Sequence, residues 1–222
     1  MKRAFILTLI LLLAVPSLGL ASGDVTGTFG IASTPQIESI RVYQSDGTSP
    51  AQTLTPQQDY IIELDISDAD GIGTVDKLVV KLWYDEDGGE VSGTDMNSIT
   101  NYRSDEMIEI YWWKSTGTLA FTGASGSWQL DVDSAVLPTD FNAERTDICT
   151  IKIPVTIGKI ARETIGNAKW QLGARVVDDY NILSSYAYFE TGYVYGLPMD
   201  WYGEIIVNQG VEVDWGNIPA GT

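Results

Sequence analysis

Three features of this 222-residue sequence predict an all-β fold, an antiparallel β-sandwich. Short runs of alternating apolar and polar residues recur along the chain, each bounded by Gly, Pro, Asp or Ser. Helical periodicity is nearly absent, and the one tolerable window, residues 160–165, is too short to stand alone. No strand–helix–strand rhythm appears, so a parallel sheet with crossover helices is not expected.

Residues 1–21 read as a signal peptide and not as part of the fold. Lys2 and Arg3 form a positive start, and residues 4–15 form an apolar run. Pro16, Ser17 and Gly19 then break it, and Gly19-Leu20-Ala21 offers small residues for cleavage. The run falls short of the roughly 20 residues that span a bilayer, so the mature chain is expected to lack a membrane span. The alternative is an uncleaved anchor. Secretion, to the medium or the cell surface, is the expected localisation.

Residues 22–36 are rich in Gly, Ser and Thr and read as a flexible leader or an edge strand. The sandwich domain is expected over 37–197. Its first strand is 37–43 (IESIRVY), and a polar connection with Pro50 and Pro56 follows. Residues 60–85 then read as strand, acidic glycine-containing turn, strand, and are taken as a strand pair. In YIIELDIS, Ile62, Leu64 and Ile66 alternate with Glu63, Asp65 and Ser67. In VDKLVVKLWYD the apolar set is Val75, Leu78, Val80 and Leu82, with Lys77 and Lys81 outward. Val79 and Trp83 share the lysines' phase, which predicts a strand buried on both faces in its middle.

Short β-type runs follow at 109–114, 118–122 and 128–132, a spacing that suits a meander. Longer strands are expected at 148–157, 168–177 and 185–195, the last alternating Tyr186 and Tyr188 before Gly192 interrupts it. Nine or ten strands with few helices make the sandwich immunoglobulin-like in type. Residues 198–222 form an extra C-terminal β segment, with EIIVN and VEVDW as β-type runs. It reads as the start of a further module or as a tail that pairs with a partner.

Composition narrows the function. The formal charge is −17, and loss of Lys2 and Arg3 with the signal peptide removes two positive charges to leave −19. Such a chain repels nucleic acid and anionic lipid, so neither is an expected partner. There is no histidine, and Cys149 is the one cysteine. Ser-His-Asp and Cys-His catalysis, His/Cys zinc sites and an internal disulfide are therefore excluded. Cys149, in an alternating run, is expected to be a small buried hydrophobe.

LDISDADGIGTVDKLVVKLWYD resembles the core of immunoglobulin-like repeats in archaeal and bacterial surface proteins, where an S/T-D-x-D-G turn precedes a V-x-V-x-L-x-Y-D strand. VDWGNIPAG at 213–221 resembles the opening strand of a further such module. The resemblance implies an extracellular, mostly non-catalytic protein active in adhesion, envelope architecture or filament assembly.

Two candidate sites come from the residues. Asp-rich turns supply the oxygen ligands that Ca²⁺ requires. An EF-hand with Gly71 at position six fails, because position one would be Ile66 and position twelve Lys77. A calcium site would instead need Asp68 and Asp70 to meet Asp178 and Asp179 at one pole of the sandwich; otherwise these are turn residues. The second candidate is the Tyr111-Trp112-Trp113 run. Neighbours on a strand face opposite ways, so one face is core and the other offers Trp112 or Trp113 as a carbohydrate or partner contact; the alternative is that both pack in the sandwich or beneath a loop. Paired carboxylates for glycoside hydrolysis have no recognisable sequence frame here. The expected function is non-catalytic structural or adhesive work through sandwich surfaces, on other surface proteins, on itself or on extracellular glycans. A carbohydrate-binding module, calcium-stabilised or not, is the alternative.

Overall fold

Alternation in the sequence becomes two facing sheets. The computed structural model describes residues 32–89, 105–122, 125–185, 187–191 and 194–203. The expected signal peptide (1–21), most of the expected leader and the EIIVN and VEVDW runs lie outside the described residues. β1 (Gln36–Gln44), β2 (Asp59–Ser67), β6 (Gln129–Leu130) and β7 (Cys149–Thr156) form a four-stranded sheet in the order β1-β2-β7-β6. β3 (Val75–Asp85), β4 (Met107–Trp113), β5 (Thr118–Phe121), β8 (Lys169–Asp178) and β9 (Ala187–Tyr188) form a five-stranded sheet in the order β5-β4-β3-β8-β9. All pairings within both sheets are antiparallel. The all-β antiparallel sandwich is the observed fold.

The core lies between the central strands. In the first sheet Ile62 pairs with Ile153, Leu64 with Ile151 and Ile66 with Cys149, all fully buried. In the second, Leu78, Val80 and Leu82 pair with Val176, Ala174 and Leu172 on one side and with Trp112, Ile110 and Ile108 on the other. Trp128 and Trp170 fill one end, their ring centroids 5.5 Å apart. Cys149 is buried, and burial pushes its thiol pKa up. The expectation for it holds.

The strand pair expected over 60–85 is corrected. β2 and β3 do not pair; they lie in opposite sheets, and residues 68–74 carry the chain across. Each strand turns its apolar set toward the core, so the two meet face to face and not edge to edge. The crossing needs Gly71, at φ 99°, where a Cβ would meet the Ala143 carbonyl oxygen at 2.5 Å. A bulge between Val75 and Lys77 lets both Val75 and Leu78 face inward. Burial on both faces of β3 falls at Trp83, 4% exposed, and not in the strand's middle, where Val79 is only half-buried.

The single strand expected at 185–195 is also corrected. The chain there forms β9, then β10 (Glu190–Thr191) paired with β11 (Val194–Tyr195). Phe189 explains the break: it turns into the core at 6% exposure while its N–H donates to the Leu172 carbonyl at 2.8 Å. Beyond β11, Leu197 and Met199 are buried in the same core. Leu54 N–H donates to the Pro198 carbonyl and Asp200 N–H to the Leu54 carbonyl, each at 2.8 Å. No helix among the described residues is long and apolar enough to cross a membrane.

The outer face of the four-stranded sheet is self-neutralising. Arg41 contacts Glu63 at 2.7 Å and Asp65 at 2.6 Å, and Lys152 lies 3.4 Å from Glu63. Burial pushes the Asp65 carboxyl up, but hydrogen bonds from Arg41, Thr150 and Ser39 outweigh it and hold the pKa below the usual range. A depressed acid contributes stability above its unfolded pKa and loses it as pH falls through the folded one. Urea midpoints should therefore drop as pH falls below about 4, the ordinary carboxylate range, and this drop should shrink in Arg41→Met, which lacks the partner. An equal drop in both proteins would assign acid lability elsewhere.

Candidate functional site

The outer face of the five-stranded sheet can be read row by row from its register. Thr118, Trp113, Lys77, Val177 and Leu183 form the first row. Ala120, Tyr111, Val79 and Arg175 form the next, and Glu109, Lys81, Gly173 and Tyr188 a third. Met107, Trp83 and Gln171 form the last.

The two ends of this face differ. At the last row, Met107, Trp83 and Gln171 are 2%, 4% and 1% exposed. Tyr188 meets Trp83 edge-on at 6.3 Å, and the Gln171 amide donates to Asp85 Oδ2 and the Gly89 carbonyl. At the first row, Trp113 is 43% exposed. That end is open.

A groove of about 460 Å³ lies on the open end, lined by Tyr111 and Trp113 with Lys77, Glu109 and Thr116, Thr118 and Thr122. Tyr111 and Trp113 meet nearly edge to face, with centroids 6.2 Å apart and planes at 74°. Lys77 Nζ lies 5.0 Å from the Trp113 ring centroid, a cation–π contact. Glu109 is held by Lys81 at 3.1 Å and by the Thr122 hydroxyl at 2.8 Å. Because β4 is paired on both sides, the aromatic pair stands on a rigid base.

Of the two tryptophans singled out from the sequence, only Trp113 reaches this surface. Trp112 is fully buried, its apolar phase shared with Ile108 and Ile110, so it cannot touch a partner. Tyr111 was part of the run singled out but was given no contact role, and Lys77, Glu109 and the threonines were missed. Tyr111 and Glu109 share Trp113's parity, a signal present in the sequence; Lys77 joins them only through strand register.

The acidic pole is a different kind of place. Asp68 is 2% exposed; its Oδ1 accepts from Ser33 Oγ at 2.7 Å and Asp70 N–H at 2.9 Å, and its Oδ2 accepts from Thr74 Oγ1 at 2.8 Å. Asp70 Oδ2 accepts from the Ser33 N–H at 2.5 Å and its hydroxyl at 3.0 Å. Asp178, 1% exposed, caps its own turn by accepting from the N–H groups of Tyr180 and Ile182. Asp179 pairs with Lys114 at 2.6 Å.

Thr74 joins the two turns, since its hydroxyl reaches Asp68 while its carbonyl accepts from the Asp179 N–H at 2.7 Å. The two turns therefore adjoin, and each carboxylate accepts from donors of the protein, although Asp178 Oδ2 is buried without a hydrogen-bond partner. Among the described residues, no group of three or more acidic or cysteine side chains is arranged around a common point for a metal ion.

No family model and no curated protein matches the chain. Among solved structures, it is similar to a variant of BcpA, the major pilin subunit of Bacillus cereus, at 11% identity and a TM-score of 0.30, over 74% of this chain and 40% of that one. BcpA itself matches at 10% identity and a TM-score of 0.28, over 69% of this chain and 39% of that one. The chain thus spans less than half the length of those pilin chains.

Proposed function

We propose that this protein is a non-catalytic structural or adhesive component of the cell exterior, and that it works through the open end of its five-stranded sheet. The observation that carries this reading is Trp113, left 43% exposed beside Tyr111 on a doubly paired strand. A large aromatic held rigidly at a surface, with no covering element among the described residues, is the usual anchor of a contact. The secretory signal in residues 1–21 and the acidic charge support an external location.

The acidic side chains favour contact over catalysis. Asp68 and Asp178 cap turns, Glu63 and Asp65 serve Arg41, and Glu109 serves Lys81. With no histidine in the chain and Cys149 buried, neither a Ser-His nor a Cys-His pair can form.

The test is binding of the labelled protein, without residues 1–21, to the cell-envelope fraction of its source organism. Saturable binding should weaken at least tenfold in Trp113→Ala, with melting temperature nearly unchanged. Equal binding by both proteins would move the contact off this face.

A further inference from the structure

We infer that the Tyr111–Trp113 groove is a binding site for an uncharged, hydroxyl-rich glycan. The inference rests on the reading of this face as the contact surface and names what it contacts.

The chemistry of the lining selects the ligand. Its apolar part is aromatic, Trp113 and Tyr111 at 74° to one another with Lys77 over the Trp113 ring, and a flat π surface suits the C–H face of a sugar ring. Its polar part is a rim of side chains that fits hydroxyl groups: the ammonium of Lys77, the carboxylate of Glu109, and the hydroxyls of Thr116, Thr118 and Thr122. Among the described residues, Lys77 Nζ and the Thr118 hydroxyl have no hydrogen bond within the protein, so both are available to a ligand.

Charge argues against the alternatives. The lining carries one ammonium and one carboxylate, and Lys81 pairs with that carboxylate, so Lys77 is a single unbalanced positive charge within a chain of formal charge −17. A polyanion gains one contact at Lys77 and meets repulsion from the rest of the molecule. A second copy of the chain brings another strong negative charge to a face whose rim offers threonine hydroxyls where a protein interface would bury apolar core. A volume of about 460 Å³ is in the range of small-ligand sites and holds a few sugar rings. An uncharged glycan is the occupant that meets neither objection.

The experiment uses the chain without residues 1–21. Retention is measured on insoluble cellulose, xylan, chitin and starch, and affinity electrophoresis is run with polygalacturonate and with its fully methyl-esterified form. Trp113→Ala and Lys77→Met are run alongside, with sedimentation velocity on all three proteins. The expected result is retention by at least one neutral polysaccharide, unchanged between about 50 and 500 mM salt. It should fall at least tenfold in Trp113→Ala and by a smaller factor in Lys77→Met.

Binding to polygalacturonate but not to its ester or the neutral polymers, weakened by salt, would overturn the uncharged class. Self-association abolished by Trp113→Ala, without glycan binding, would overturn the glycan while leaving the face as a contact surface. Absence of glycan binding together with Trp113-independent envelope binding would overturn both.

Discussion

Trp112→Ala should lower the free energy of unfolding by about 3–5 kcal/mol, while Trp113→Ala, one residue along, should cost about 1 kcal/mol or less. Trp112 is fully buried and pairs with Leu78 on one side and Leu119 on the other. Deleting its indole opens a large cavity between rigid sheets, which cannot collapse to fill it. Trp113 gives up one edge contact with Tyr111 and one cation–π contact with Lys77, both at the surface.

A refinement separates volume from polarity. Trp112 Nε1 is buried without a hydrogen-bond partner. Trp112→Phe removes that orphan donor along with part of the ring, so it should cost well under half of what Trp112→Ala costs. Denaturant titrations of the three variants check the order. Equal costs at positions 112 and 113 would mean that the faces of β4 are wrongly assigned.

Asp68→Ala should cost about 2–4 kcal/mol and Asp68→Asn less than about 1 kcal/mol. The carboxylate is 2% exposed and serves three donors, so truncation strands the Asp70 N–H and leaves the Ser33 hydroxyl only Asp70 Oδ2 and the Thr74 hydroxyl only the Gly71 carbonyl. Asparagine keeps an acceptor for Ser33 and Asp70. Its amide can donate to Thr74 Oγ1, whose own proton then goes to the Gly71 carbonyl, 2.8 Å away. Melting temperatures with and without Ca²⁺ decide the role of the turn. Tolerance of asparagine, with no calcium effect in either protein, is the outcome for a cap; a calcium-dependent rise lost in Asp68→Asn would make the turn a cation site.

Much of the fold was legible because most of the strands alternate with a period of two. β1, β2, β3, β7 and β8 lie within a residue or so of where alternation puts them. Sheet membership was not legible. β2 and β3 are each consistent with a hairpin, and only the crossing at Gly71, tight against Ala143, sends them into opposite sheets. The Val75/Lys77 bulge was hidden for a similar reason: a bulge is a property of two strands, and one strand's sequence shows only an imperfect alternation.

The candidate site was half legible. The parity of Ile108, Ile110 and Trp112 already assigns Trp112 inward and Tyr111 and Trp113 outward. That Lys77 and Thr118 stand beside Trp113 follows only from register. The acidic turn was read as a place where carboxylates needed relief. Its relief comes from Ser33, at the end of the leader, and from Thr74, two hydroxyl residues that composition gives no reason to single out.

The seven tryptophans give seven indole resonances in a ¹H–¹⁵N spectrum, and these report most directly on which surface is used. Spectra are recorded with and without a soluble oligosaccharide of whichever neutral polysaccharide retains the protein. The Trp113 indole should shift with saturable dependence on ligand while that of Trp112 stays in place. A shift centred on Trp201, the other exposed described tryptophan, or no shift at Trp113 under saturating ligand, would contradict the assignment of this face as the contact surface.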